Sequence, residues 1–274
     1  MTEISYRKLF DLAGRTAVIT GACGILGRRF AAGLAEFGAN VALVDLDLGA
    51  TGDLAAEIER RHRVRAAGIA CDIADPAAVG RLAERVDRDF GGATILMNNA
   101  ATKGADLDAF FAPVERFDLA TWREIMAVNL DGMFLVAQAI GARMAERGGG
   151  SIIQTASIYG LLAPDQRIYE GSEYNGRAIN TPAVYSAAKA GVIGLTRHLA
   201  TYWAEYGVRV NTLTPGGVSS GQNSEFSRRY SARVPLGRMA EADDLVGAAV
   251  FLASDASRYV TGQNLVVDGG LSAW

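Results

Sequence analysis

Cysteine and histidine are scarce in this sequence, which limits the kinds of site it can build. Its 274 residues include two cysteines, Cys23 and Cys71, and two histidines, His62 and His198. Two cysteines cannot form a disulfide framework, and none of the four residues has the spacing of a metal-ligand motif. We therefore expect no metal site, and we expect a reducing, cytoplasmic environment.

Long apolar runs and an excess of basic residues are also lacking. The apolar runs fall short of the ~18 residues that a membrane span requires, and charged residues near the start interrupt any signal-peptide core. The net charge of −3 offers no basic face to nucleic acid or to an anionic membrane. We therefore predict a protein that is not exported and has no nucleic-acid or membrane partner.

What the sequence does contain is a regular alternation of short apolar strands and helical segments. We predict strands at 16–20, 40–47, 65–73, 93–100, 150–157, 207–215 and 263–270. The helices between them include two long ones, at 119–147 and 184–206. Because the strands are apolar on both faces, they suit a parallel sheet covered by helices on each side. The sequence thus predicts one α/β domain over residues 1–274, with a Rossmann-like doubly wound parallel sheet of about seven strands.

Two long irregular segments interrupt this alternation, at 160–183 and 216–238. Each follows the end of a predicted strand, and open α/β sheets bind ligands at the carboxyl ends of their strands. Long loops in a compact domain are usually functional or disordered. We predict that both segments contact the substrate, as a wall or a lid. The alternative is a surface insertion or a contact between subunits.

The octet TGACGILG at 20–27 predicts a phosphate-binding turn. It joins the first strand to the first helix, and its glycines allow a tight turn and a close approach to the backbone. The start of the helix offers free N–H groups and the positive end of the helix dipole to a phosphate. The residues predicted to contact a dinucleotide here are Gly21, Cys23, Gly24, Ile25, Leu26 and Gly27.

Asp45, at the end of the second strand, predicts which dinucleotide is bound. A carboxylate there can accept hydrogen bonds from both hydroxyls of the adenosine ribose and would repel a 2′-phosphate, and no arginine adjoins it in the sequence. The prediction is NAD in preference to NADP. Asp72 ends the third strand, where it either lies at the adenine or caps the next helix. Asp75 and Pro76 also form a good cap and first-turn pair for that helix.

Tyr185 and Lys189 lie four residues apart on the second long helix, and therefore on one face of it. A free tyrosine has a pKa of about 10, too high for a base near neutral pH. The positive charge of the lysine favours the phenolate and should lower that pKa. We predict that Tyr185 exchanges a proton with the substrate oxygen while a nicotinamide exchanges the hydride. Ser157 would donate a hydrogen bond to the same oxygen.

These motifs together resemble the short-chain dehydrogenase/reductase family over nearly the whole chain. The resemblance rests on TG-x-x-G-x-x-G at 20–27, NNAA at 98–101, VNL at 128–130, Ser157, YxxxK at 185–189, PGGV at 215–218 and VTGQNLVVDGG at 260–270. It implies a single-domain oxidoreductase in which Lys189 also holds the nicotinamide ribose. Asn129, whose amide can hold a water behind the lysine, would begin a proton relay.

The remaining predicted site residues surround these motifs. The dinucleotide site also includes Ile73, Asn99, Ala100, Ala101, Pro215, Gly216 and Val218, beside Tyr185 and Lys189. The substrate is predicted to contact Ser157, Tyr159, Tyr169, Tyr174 and Gly217.

The chain departs from the family pattern in three places. Gly24 stands one position before the usual second glycine, whose place Ile25 takes, so the turn at the pyrophosphate should differ. The motif NNAA puts the methyl group of Ala101 where the family has a glycine. The separation of Ser157 and Tyr185, 28 positions (185 − 157), is longer than usual, and the extra length is the segment 160–183.

That longer segment carries the substrate prediction. Its polar and aromatic residues are Asp165, Gln166, Arg167, Tyr169, Glu170, Tyr174, Asn175 and Arg177. A wall of such groups suits a ligand with many hydroxyls or a charge. We predict a polar secondary alcohol of carbohydrate or nucleotide-sugar type. The alternatives are a 3-oxoacyl thioester reductase and a non-catalytic dinucleotide sensor or scaffold.

The two long helices and the tail after the last strand also predict self-association. Both helices are largely apolar, and exposed apolar faces of that size would otherwise lower solubility. In the resembled family the last strand and tail commonly pack across a two-fold axis. We therefore predict a homotetramer or a homodimer.

Overall fold

The computed structural model, which describes residues 5–174 and 176–274, contains a seven-stranded sheet and a short hairpin. The sheet strands are β1 (Thr16–Thr20), β2 (Asn40–Asp45), β3 (Ala66–Ala70), β4 (Ile95–Asn98), β5 (Gly150–Thr155), β8 (Val208–Pro215) and β9 (Asn264–Val267). The hairpin strands are β6 (Glu173–Tyr174) and β7 (Arg177–Ala178). The sheet order is β3-β2-β1-β4-β5-β8-β9, with parallel neighbours throughout. The predicted doubly wound parallel sheet is confirmed.

The direction in which strands are added reverses at β1. The chain adds β2 and β3 on one side of it and then places β4, β5, β8 and β9 on the other. The carboxyl ends of β1 and β4 therefore flank the crevice in which sheets of this kind bind ligands.

Helices cover both faces of the sheet. They are α1 (Ile25–Glu36), α2 (Leu48–His62), α3 (Pro76–Phe90), α4 (Leu107–Phe110), α5 (Leu119–Met126), α6 (Met133–Glu146), α7 (Ala183–Tyr202), α8 (Ser224–Ser231) and α9 (Val246–Ala253). Successive strand residues point to opposite faces, so Ile19 packs under α1, α2 and α9, whereas Val18 packs under α3, α6 and α7. Each such fully buried aliphatic side chain stabilises the fold by about 1.5–3 kcal/mol.

The first long helix differs from its prediction because it is interrupted. A π-helical turn at Ala127–Gly132 separates α5 from α6, and Asn129 lies in that turn with no exposed surface. A π turn breaks the regular i→i−4 hydrogen bonds, and such turns are frequent at functional sites. The second long helix, α7, ends at Tyr202 rather than at Tyr206.

The helical stretch Leu119–Glu146 is long and apolar enough, by length and composition alone, to cross a membrane, with a mean hydropathy of 1.5. A core helix can pass the same test. In this fold Val136, Ile140 and Met144 from the stretch pack in the core beside the sheet. That packing accounts for its apolar composition.

The segment 160–183 is bound on one side to the chain around α4. Arg177 Nε lies 2.7 Å from Asp108 Oδ1, and Asn180 Nδ2 donates a hydrogen bond of 2.7 Å to the Phe111 carbonyl. These contacts hold the segment to the chain that follows β4, and its role as a substrate wall stays a prediction.

On its other side the same segment packs against α8, which lies in the second irregular segment. The ring of Tyr169 stacks on Phe226 with 5.4 Å between the ring centroids. Arg229 Nη1 donates a hydrogen bond of 2.8 Å to the Arg167 carbonyl. The two irregular segments therefore pack against each other.

Candidate active site

A cleft of about 360 Å³ opens at the carboxyl ends of β4, β5 and β8. Its walls come from the loop after β4, the turn after β5, the start of α7, the segment after β8 and the segment 160–183. The predicted site residues that line it are Leu26, Asn99, Ala101, Ser157, Tyr159, Tyr169, Tyr185, Lys189, Pro215, Gly216, Gly217 and Val218. The fold thus brings the predicted dinucleotide and substrate residues to one place.

The glycine turn beside this cleft requires glycine at two positions. Gly21 has a φ of +64°, and a Cβ there would lie 2.8 Å from the Ala100 Cα; a Cβ on Gly27 would lie 2.0 Å from the Gly21 carbonyl oxygen. Gly24 has an extended backbone and is the N-cap of α1, and Ile25 is 54% exposed; that the turn differs from the family's stays a prediction. A close approach without side chains, at the start of α1, fits a dinucleotide phosphate.

Asp45 has a structural role as a turn aspartate beside the glycine turn. Its Oδ2 accepts a hydrogen bond of 2.9 Å from the Cys23 N–H, and its Oδ1 accepts one of 2.8 Å from the Leu46 N–H. The carboxylate therefore holds the glycine turn to the end of β2, and the Cys23 N–H is not free for a phosphate. Each oxygen keeps a further lone pair for a ribose hydroxyl.

A cation also lies near Asp45 in space, although none adjoins it in sequence. Arg28 Nε donates a hydrogen bond of 3.0 Å to the carbonyl of Cys23, the residue whose N–H bonds to Asp45. Burial, with Asp45 as the second contribution, raises the pKa of the Cys23 thiol, and Arg28 opposes that shift. The prediction rests only on arginines that adjoin Asp45 in the sequence, and Arg28 enters through its bond to Cys23.

Neither predicted residue after β3 caps the next helix. Asp72 Oδ1 accepts from the Ala74 N–H at 2.9 Å, whereas the cap of α3 is Asp75, as the sequence indicated. Asp72 is exposed, so its place at an adenine stays a prediction. Ile73 is buried and touches the helix turn at Gly132, which allows it to shape the site from beneath.

The Thr20 hydroxyl connects the glycine turn after β1 to the loop after β4, a role that was not predicted from the sequence. It accepts hydrogen bonds from the N–H groups of Asn99 (2.9 Å) and Ala100 (3.1 Å) and donates to Asn98 Oδ1 (3.2 Å). The signal that could have revealed it is its place beside Gly21 at the end of β1.

The predicted catalytic residues meet where β5 ends against α7. Ser157 and Tyr185 both line the cleft, and Ser157 Oγ accepts a hydrogen bond of 3.2 Å from the Tyr159 N–H. Lys189 Nζ donates a hydrogen bond of 2.9 Å to the Thr155 carbonyl. Gly160 makes the close contact possible, because a Cβ there would lie 2.5 Å from the Lys189 carbonyl carbon. The serine, the phenol and the ammonium thus share one side of the cleft.

The electrostatics of this group differ from the prediction. Burial raises the pKa of Tyr185, although the hydrogen bond from Ser157 opposes the rise. Burial also lowers the pKa of Lys189 to about 8. The expected lowering of the phenol pKa by the lysine is wrong for this structure, because desolvation penalises the charged form of both groups and the ammonium is bound to Thr155.

We expect the buried Lys189 to make stability depend on pH above about 8. Its pKa is about 8 in the folded protein, and about 10.4 in an unfolded chain. Between these two pH values the unfolded state binds more protons than the folded state, so the free energy of unfolding rises with pH. Below pH 8 the buried ammonium lowers the free energy of unfolding by about 3 kcal/mol. Between pH 7 and 9.5 the free energy of unfolding of the wild type should rise by about 2 kcal/mol relative to that of Lys189→Met, as measured by chemical denaturation.

The exposed Lys8 offers a control for that measurement, through Lys8→Met. The wild type and this control should keep a constant difference over the same pH range. A difference between the wild type and Lys189→Met that did not change with pH would contradict the assignment of a buried ammonium.

The side chain of Asn129 is used to fix the turn after β4. Its Oδ1 accepts a hydrogen bond of 2.7 Å from the Thr102 N–H, and its Nδ2 donates one of 3.0 Å to the Thr102 carbonyl. The amide thus keeps one donor and one lone pair for other partners. The predicted relay water stays a prediction, and the observed role is to position the loop that follows Ala101.

The hydroxyls of the predicted substrate tyrosines differ in their partners. Among the described residues, the buried Tyr159 hydroxyl has no hydrogen-bond partner. Burial raises the pKa of Tyr159, and the nearby Tyr169 adds to that rise. The Tyr169 hydroxyl forms a hydrogen bond of 2.5 Å with Thr181 Oγ1. At Gly217 the backbone N–H donates to the Tyr230 hydroxyl. The Tyr174 side chain, like Asn175, lies outside the described residues.

The predicted polar wall is wrong in most of its members. Arg167 is exposed and pairs with Asp165 at 2.8 Å, and Glu170 and Arg177 are exposed as well. From this segment the cleft is lined instead by Tyr169, Ile179, Asn180, Thr181 and Pro182. A charged side chain loses favourable hydration when it lines a cleft, so the charged side chains of this segment point into water instead.

Comparisons with known proteins agree with this site. A family model described as Enoyl-(Acyl carrier protein) reductase matches residues 21–272. D-threitol dehydrogenase of Mycolicibacterium smegmatis is 38% identical, over 98% of this chain and 96% of its own.

Two solved structures share the fold over nearly their full length. A short-chain type dehydrogenase/reductase from Mycobacterium marinum has a TM-score of 0.86 and 31% identity, covering 99% of this chain and 100% of its own. A gluconate 5-dehydrogenase from Burkholderia cenocepacia J2315, in complex with NADP and tartrate, has a TM-score of 0.85 and 36% identity, covering 97% and 98%. The chain therefore belongs to the short-chain dehydrogenase/reductase family, and it is an oxidoreductase of CH–OH groups that uses a nicotinamide dinucleotide.

Proposed function

We propose that this chain interconverts a secondary alcohol and a ketone on a small polyhydroxylated substrate, with NAD as its preferred dinucleotide. The observation that carries the proposal is that Ser157, Tyr185 and Lys189 line one cleft beside the glycine turn, with Lys189 one turn after Tyr185 on α7. The dinucleotide, when bound, supplies or accepts the hydride. The residues of the chain transfer the proton to or from the substrate oxygen.

The raised pKa of Tyr185 favours the neutral phenol. In reduction, that phenol gives its proton to the oxygen of the ketone while Ser157 donates a hydrogen bond to the same oxygen. In oxidation, the phenolate must take the proton from the alcohol. The ammonium of Lys189 is the group on the same helix face that can stabilise it. The residues therefore support both directions.

The size of the cleft and the named relatives support a small substrate. A cavity of about 360 Å³ is at the lower end of the range for small-molecule sites, which favours a polyol over a nucleotide sugar. The relatives reported above include enzymes named for threitol and for gluconate. A polyol is a secondary alcohol with several hydroxyls, in keeping with the proposed reaction.

An absorbance assay tests the proposal. The protein is mixed with NAD and a panel of four- to six-carbon polyols, and with NADH and the corresponding ketoses, and the nicotinamide band is followed. Turnover on at least one pair is expected. Tight dinucleotide binding without turnover on any member would instead favour the non-catalytic sensor.

The preference for NAD should depend on the charge of Asp45. Asp45→Asn keeps an acceptor for the Cys23 or Leu46 N–H but removes the negative charge that binds ribose hydroxyls and repels a 2′-phosphate. We expect the ratio of kcat/KM with NAD to that with NADP to fall about tenfold to a hundredfold. Steady-state kinetics with both dinucleotides measure it.

Asp72→Asn makes the same chemical change at the end of the next strand and serves as the control. Its ratio should stay that of the wild type. If Asp45→Asn left the ratio unchanged, or if the wild type preferred NADP, the proposal of NAD would fail and Arg28 would be the residue to examine.

We also propose that the chain acts as a homodimer or homotetramer in the cytoplasm. The helices α5, α6 and α7 expose large apolar side chains, among them Leu119 (57%), Phe134 (40%) and Tyr202 (63%). A second copy packed on this face would cover them. Light scattering coupled to size-exclusion chromatography measures the mass.

A further inference from the structure

The part of the cleft farthest from the sheet is apolar. Five side chains from outside the sheet make what we call the apolar lining: Phe110, Phe111, Ile179, Phe226 and Met239. They come from α4, from the segment 160–183, from α8 and from the chain after α8. The reacting residues, by contrast, stand at the end of β5 and on α7.

The apolar lining is a packed surface. Phe226 is stacked on Tyr169 and lies 5.8 Å, between ring centroids, from Tyr230. Phe110 and Phe111 meet edge to face at 5.0 Å. Together with Met239, these rings form fixed walls that cannot rotate away without losing their own contacts.

Several polar groups next to the apolar lining are either bonded already or closed off from the cleft. The Tyr159 hydroxyl, Thr155 Oγ1 and Asn180 Oδ1 have no hydrogen-bond partner among the described residues, but each of these atoms exposes less than 1 Å² of surface. The hydroxyls of Tyr169 and Tyr230 pair with Thr181 and with the Gly217 N–H. Asn180 Nδ2 donates to the Phe111 carbonyl at 2.7 Å. Among the described residues that line the cleft there is no aspartate, glutamate or arginine.

A substrate hydroxyl placed against the apolar lining would lose its water without gaining a partner. That loss disfavours binding, whereas each methylene buried there favours it. We infer that the substrate of this enzyme carries a hydrocarbon part beyond its reacting CH–OH group, as in a deoxy polyol or an alkyl diol. The inference rests on the proposed function and narrows its substrate class.

Two matched series of compounds test the inference. The first is butane-2,3-diol, pentane-2,3-diol and hexane-2,3-diol; the second is the tetritols, pentitols and hexitols with the same carbon numbers. We expect kcat/KM with NAD to rise about fourfold for each methylene in the diol series. In the polyol series it should stay level or fall.

The outcomes separate the inference from the function. Turnover of polyols with no rise along the diol series would overturn the inference and leave the proposed function standing. An absence of turnover in both series would overturn both. A rise along the diol series supports both.

Ile179 allows a second test with a matched pair of variants. Ile179→Val shortens the side chain, and Ile179→Thr has the shape of the valine variant but puts a hydroxyl in the apolar lining. The threonine variant should lower the ratio of kcat/KM for hexane-2,3-diol to that for butane-2,3-diol by about threefold to tenfold relative to the valine variant. Equal ratios in two variants with the same melting temperature would overturn the inference.

Discussion

Tyr185→Phe should reduce kcat about a thousandfold in both directions while the protein folds and binds its dinucleotide normally. The variant removes one oxygen atom, the one proposed to exchange the proton, which lies in the cleft with Ser157. The ring remains, so the packing at the start of α7 is kept. Stopped-flow absorbance measures turnover, and fluorescence titration with NADH measures binding.

Tyr202 provides a control on the same helix. Its side chain is 63% exposed, so Tyr202→Phe makes the same chemical change outside the cleft and should leave kcat unchanged. Turnover by Tyr185→Phe at the rate of Tyr202→Phe would refute the assigned proton carrier. Such a result would move the search for an acid to the other groups in the cleft.

The second large effect is expected from Gly27→Ala. The added Cβ would lie 2.0 Å from the Gly21 carbonyl oxygen, a backbone atom that cannot rotate away. The glycine turn must therefore shift, and the N–H groups at the start of α1 would no longer be aimed at the phosphate. We expect the Kd for NADH to rise about a hundredfold or more, equivalent to about 3 kcal/mol.

Gly80→Ala tests whether this effect comes from the turn or from alanine in general. Gly80 lies in α3 with no atom within 4 Å of an added Cβ. The control should bind NADH normally and gain up to about 1 kcal/mol of stability from helix propensity. Calorimetric melting of both variants separates misfolding from lost affinity, and unchanged binding by Gly27→Ala would contradict the close approach.

The fold could be predicted because its signals are local. The glycines that close the turn after β1, the cap at Asp75 and the apolar strands each act within a few residues, and the structure has them where they were expected. What remained hidden was the π turn around Asn129, whose side chain bonds to Thr102, 27 positions away in the sequence.

The chemistry of the cleft was harder to predict than its position. The polar composition of the segment 160–183 did not indicate where each side chain points, and Arg177 pairs with Asp108 outside the cleft. The pKa shift of Tyr185 was predicted wrongly for a related reason. Tyr185 and Lys189 share a helix face, as their spacing requires, but their pKa values depend on burial, which no spacing reveals.

The contacts that join the segment 160–183 to α8 on one side and to α4 on the other have a kinetic consequence. Neither irregular segment can swing outward alone without separating Tyr169 from Phe226 or Arg177 from Asp108. A displacement of either segment should therefore be transmitted to the other. Removing either contact, for example with Phe226→Ala or Asp108→Ala, should increase hydrogen exchange in both segments.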